Sequence, residues 1–164
     1  MAGVNSATLI TKISEKITLN GNKYDNIIEK RINGITDILK RIVTVPAAND
    51  TTVLGFKSTV GHADTEGVLD IENVKYIRVT NLDDTNSVRL ALKIDAGEDD
   101  TGADEGAELT LNAGMSFILS TPHDAIYVDS SSASLGTDLD DLESITIDSG
   151  DDNDVDIEVL VASS

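Results

Sequence analysis

Apolar and polar positions alternate along much of the chain, and the alternation is cleanest between Val74 and Ile94. There Tyr76, Arg78 and Thr80 interleave with Ile77 and Val79, and Leu82 follows near a turn. After the turn, Val88, Leu90, Leu92 and Ile94 interleave with Arg89, Ala91 and Lys93. A period of two, rich in β-branched residues, marks a half-buried strand. The intervening Asn81–Ser87, NLDDTNS, has the Asn, Asp and Ser side chains that bond to nearby backbone in turns. The stretch predicts strand, tight turn, strand: a central hairpin that anchors a β core.

Similar short patterns recur. Arg41–Val45 reads as a strand closed by Pro46, and Thr51–Phe56 as another, with Gly55 a candidate bulge. Leu109–Leu111 and Met115–Leu119 follow, joined by a turn at Asn112–Gly114, and Ala125–Val128 makes a short strand after Pro122. Leu142–Ile147 and Val155–Val161 predict a last hairpin. Lys57–Asp70, Asp95–Glu108 and Ser130–Asp141 read as loops. Many short strands between turn signals indicate an all-β antiparallel sandwich or barrel, with one face of each sheet buried and the other wet.

The N-terminal segment is harder to read. In Thr8–Leu19 the apolar residues Ile10, Ile13, Ile17 and Leu19 fit neither period. Asn20-Gly21 and Asn33-Gly34 are hairpin-turn pairs about a strand's length apart and suggest a small meander. Tyr24, Ile27, Ile28, Ile32, Ile35, Ile38, Leu39 and Ile42 also fit a helix, though Gly34 inside it would cost about 1 kcal/mol. Extended structure is the favoured reading of residues 22–42, with helix as the alternative. The expected division is an N-terminal arm or hairpin over residues 1–46, serving docking and oligomerisation, and a sandwich over 47–164.

Composition narrows the function. The 164 residues are 40% hydrophobic but only 3% aromatic, so aliphatic side chains must fill the core. With no Cys, disulfides, thiolate metal sites and cysteine nucleophiles are excluded. No apolar run approaches the ~18 residues of a membrane span, and no signal peptide is expected at the N-terminus. The net charge of −18 is unevenly spread. Residues 1–46 hold seven basic and four acidic residues, 47–94 five and seven, and 95–164 none and nineteen. Nucleic acid is therefore not an expected partner, since phosphate contacts need Lys or Arg. The gradient suggests a mildly basic part that docks and an acidic part that faces outward and resists nonspecific contact.

Candidate chemistry is sparse. His62 and His123 both sit beside turn residues with an Asp close by, and neither accompanies a nucleophile-elbow serine. Asp148–Glu158, DSGDDNDVDIE, echoes a calcium loop but lacks its glycine, and Asp154, Asp156 and Glu158 alternate as a strand's polar face would. Asp95, Glu98, Asp99, Asp100, Asp104 and Glu105 form a second acidic cluster without ligand register. Sugar-cleaving carboxylate pairs want aromatic-lined clefts, and the chain has three Tyr, two Phe and no Trp. The expectation is a non-enzymatic protein with no catalytic, cofactor or metal residue.

Tyr76–Asp83, Val88–Leu92, Leu109–Leu111, Gly114, Ser116–Leu119 and Val155–Val159 together resemble virion structural proteins of tailed bacteriophages, over roughly residues 36–162. The resemblance is one of strand and turn pattern and carries no functional residue with it. It implies a jelly-roll-like sandwich that decorates the capsid as a cement protein. It further implies a homotrimer bound to the major capsid protein on the virion surface, assembled in the host cytoplasm. A tail, head–tail connector or fibre component is the near alternative. A calcium-dependent surface- or carbohydrate-binding module is the more distant one.

Overall fold

The computed structural model describes residues 6–57, 69–94, 105–126, 139–150 and 153–164. His62, the acidic positions 95–104, Tyr127 and Val128 lie outside the described residues. Eleven strands appear among them: β1 Ala7–Leu19, β2 Asn22–Ile35, β3 Asp37–Val45, β4 Asp50–Lys57, β5 Leu69–Asp70, β6 Val74–Asn81, β7 Val88–Ile94, β8 Glu105–Leu111, β9 Ser116–Leu119, β10 Leu142–Asp148 and β11 Val155–Ser163. A single 3-10 turn at Ile71–Asn73, capped by the Asp70 side chain, leads into β6.

The strands form a two-stranded ribbon, β1-β2, and two larger sheets ordered β5-β4-β10-β7-β8 and β3-β11-β6-β9. The antiparallel pairings between the larger strands are nested. β3 pairs with β11, β4 with β10, β6 with β9, and β7 with β8. A chain doubled back on itself in this way and wrapped into two packed sheets is an antiparallel β-sandwich. The all-β sandwich expected from the sequence is thus what forms.

Two expected hairpins are corrected by this wiring. β6 and β7 lie in different sheets, as do β10 and β11. Residues 82–87 are therefore an arch between sheets and not a hairpin turn. Asn81 closes the arch: its buried side-chain amide donates to the carbonyls of Asn86 (2.8 Å) and Leu111 (3.2 Å), and its Oδ1 accepts from the Asp83 N–H (3.0 Å). Turn-forming residues serve either geometry, so local chemistry alone could not separate them.

Between the sheets lies an aliphatic core. Val88, Leu90 and Leu92 of β7 face it as their alternation required, as do Val155, Ile157, Val159 and Val161 of β11, and Ile94 at the end of β7 is buried as well. Val79 and Ile77 of β6 and Val45 of β3 are fully buried there. Leu39 and Val43 of β3 pack against the same cluster. β3 is thus a working strand of the sandwich, which begins at Asp37. A boundary at residue 46 would cut that strand away from β11. The acidic loop is also shorter than expected, because Glu105–Leu111 pairs with β7 along its whole length.

Candidate interaction surface

β1 and β2 build a ribbon whose turn is Asn20-Gly21, with φ of +51° and +81°, as a type I′ turn requires. The second pair, Asn33-Gly34, makes no turn. The register slips between Ala7↔Ile35 and Thr8↔Asn33, and Gly34, at φ +79°, is the extra residue of a bulge. The expected meander is therefore one long hairpin followed by a strand that joins the sandwich. At about 3.4 Å per residue, the 13 residues of β1 span about 44 Å.

Cross-strand partners share a face. One face carries Leu9 opposite Ile32, Ile13 opposite Ile28, and Ile17 opposite Tyr24, with Leu19 at the tip. Thr11 opposite Lys30 and Glu15 opposite Asn26 separate these rungs. The other face carries Lys12 opposite Glu29 and Lys16 opposite Asp25, with Ile10 and Ile27 unmatched. The hairpin is an amphipathic ribbon with an apolar ladder on one side.

Only the base of that ladder is covered. Leu9 and Ile32 pack with buried Ile35 against Tyr76, Leu160 and Ala162, on the outer face of the β3-β11-β6-β9 sheet. Thr36 N–H donates to the Ser163 carbonyl at 2.9 Å and pins the junction. Beyond the base, Ile13, Ile17, Leu19, Tyr24 and Ile28 are 50–60% exposed. A two-stranded ribbon is marginally stable alone in water, and exposed apolar clusters of this kind mark interaction sites.

The outer face of the four-stranded sheet carries a second apolar set. Ile38 and Ile42 project from β3, which lies at the sheet's edge, and Ile118 projects from β9 at the opposite edge; all three are exposed. Between them Glu158 bridges Lys40 (3.0 Å) and Arg78. Glu158, on the polar face of β11, thus centres a small ion-pair network.

The acidic and histidine positions are arranged as follows. An open cleft of about 690 Å³ brings Asp154 and Asp156 beside Asp83 and Asp84, with Thr44, Leu82 and Thr85. Three of these carboxylates already have partners. Asp154 accepts from the Ala47 N–H (2.9 Å) and Asp156 from the Thr44 hydroxyl (2.6 Å). Asp83 accepts the N–H groups of Asn86 (2.6 Å) and Thr85 (2.7 Å), and these bonds lower its pKa from 3.8 to about 2. His123 lies 3.3 Å from Asp124 and, through Nε2, 3.9 Å from Asp141, so that three ligand-type atoms lie within 4.8 Å of one another. Asp141 also accepts the Asp124 N–H at 2.8 Å. The His123–Asp124 neighbourhood was legible in the sequence; Asp141 was not, because it stands 18 positions further along the chain.

No family model, curated protein or solved structure matches the chain.

Proposed function

We propose that the protein is a non-enzymatic structural subunit of a virion, a capsid-decoration protein that assembles as a homotrimer on the major capsid protein of a tailed bacteriophage. The observation that carries the assembly role is the half-uncovered apolar ladder of the β1-β2 hairpin. A face of this kind is stable in water only when something covers it. The capsid role rests on the strand-pattern resemblance, with which the nested antiparallel wiring of the sandwich agrees. A fold of this type hosts many functions, so the hairpin bears more of the weight than the sandwich does. The acidic body, with no basic residue after Lys93, keeps crowded copies apart wherever they are not docked. Weak individual contacts suffice on a particle, because many copies engage at once.

The test is to mix purified protein with expanded capsids of the phage that carries it and separate bound from free by sedimentation. Saturable binding to heads, lost on removal of the hairpin, is the expected result. Binding to isolated tails but not to heads would replace decoration by the tail reading. Binding to neither would remove the virion role.

A further inference from the structure

Among the described residues, two apolar surfaces lack a cover: the distal ladder of the hairpin, and the outer face of the β3-β11-β6-β9 sheet around Ile38 and Ile42. We propose that they cover one another between copies, the hairpin of one protomer lying on the outer sheet face of the next, head to tail. The inference deepens the assembly reading above by naming a second copy of this chain as the hairpin's occupant.

The contact already exists in miniature. Leu9 and Ile32, the lowest rung of the ladder, pack against Tyr76, Leu160 and Ala162 of their own sheet. Rungs Ile13–Ile28 and Ile17–Tyr24 repeat that chemistry every four residues, and they run past their own sheet uncovered. In register with Ala162 on the edge strand stands Ile38, and Ile42 follows one step beyond Lys40; both are exposed. A neighbour's hairpin finds there a continuation of the surface its own base is built to fit.

Charge points the same way. Residues 7–35 hold five basic and three acidic residues, a net of +2. The remainder of the chain holds seven basic and twenty-seven acidic residues, a net of −20. Body against body is repulsive, whereas hairpin against body is attractive. The polar face of the ribbon, with Lys12 and Lys16, stays in water in this arrangement.

Area argues against two ribbons packing only on each other. The free part of the hairpin is roughly 24 Å long and about 10 Å wide, from strand rise and spacing. That footprint falls well short of the roughly 800 Å² that each partner contributes to a stable interface, whether it lies on a second ribbon or on a sheet face, so one such contact per chain is not enough. Ribbon on ribbon would also leave Ile38 and Ile42 bare. Head-to-tail exchange buries both surfaces and gives every chain two contacts, one given and one received. Such a heterologous contact closes into a ring when the rotation allows, here a ring of three.

Because the chain has no cysteine, single introduced thiols report the contact. I13C, I17C and Y24C variants are each mixed with I38C and I42C variants of the full chain and oxidised, and mass is read by light scattering. The expected result is a trimer by mass and disulfides joining a hairpin position on one chain to β3 on another. Ile17→Asp should then yield a monomer whose circular dichroism and melting match the wild-type sandwich. Hairpin variants that cross-link only to themselves would overturn the exchange, and so would a wild-type chain that stays monomeric at high concentration. A monomer that still binds capsids overturns this inference and leaves the virion role standing. A cross-linked ring that ignores capsids does the reverse.

Discussion

The hairpin and the sandwich use the same kinds of residue in the same alternation. In β7, Val88, Leu90, Leu92 and Ile94 are all buried, because β10 and β8 flank the strand and the opposite sheet covers it. In the hairpin, Ile13, Ile17, Tyr24 and Ile28 form an equally regular face, and each is at least half exposed. Periodicity therefore announces that a face is meant to be dry without saying what dries it. In the sandwich the cover comes from the same chain; in the hairpin, beyond Leu9 and Ile32, none of the described residues supplies it.

The sharpest way to break this contrast is to place a charge on each side of it. Val79 is fully buried in β6, and Val79→Asp should cost about 3–5 kcal/mol or more, enough to abolish cooperative melting. Ile28→Asp in the hairpin should leave the melting of the monomer within about 0.5 kcal/mol, as surface changes usually do, while removing association. Equal losses of fold in the two variants would show that the hairpin is integral to the core.

Truncation separates the two regions by a different route. Removing residues 1–36 should leave a cooperatively melting, monomeric sandwich. Removing ten more residues should destabilise it severely, because β3 and its buried Val45 go too and β11 loses a partner strand. Thermal melting of both truncations locates the boundary, and equal melting would place β3 outside the sandwich.

Smaller effects come from the arch. Asn81→Ala leaves the carbonyls of Leu111 and Asn86 without their donor and should cost about 1–3 kcal/mol by denaturant titration. Asp83 contributes least. Its carboxyl is held near 2 against an ordinary 3.8, so its stabilisation is present above pH 3.8 and lost as pH falls toward 2. Asp83→Asn should therefore slightly lower stability at neutral pH, and the difference from wild type should vanish as pH falls through that window.

The strands of the sandwich were largely legible, since a period of two over Val74–Ile94 has no helical counterpart. The hairpin was ambiguous for a physical reason. Leu9, Ile13 and Ile17, like Tyr24, Ile28 and Ile32, recur every four residues, which is two strand periods and also one helical turn. Only pairing across Asn20-Gly21 decides between them. Which strands pair was not legible. The Asn81–Ser87 composition suits a tight turn and an inter-sheet arch alike, and the arch is fixed by Asn81 reaching Leu111, thirty residues away. Asp141 joined His123, and Asp83 joined Asp154, only through folding, because no local spacing links them.

The nested wiring also sets an order of events on the ribosome. Thr44 of β3 bonds to Asp156 of β11, 112 positions later in the chain, so the four-stranded sheet has no partner for its first strand until the last has been synthesised. High contact order of this kind makes folding slow. The hairpin, closed by a two-residue turn, pairs only its own residues but is marginal alone, and its base rests on Leu160 and Ala162 of the last strand. The ladder and the sheet face proposed to receive it are thus completed together, and premature pairing between unfinished chains is deferred until each has completed its sandwich.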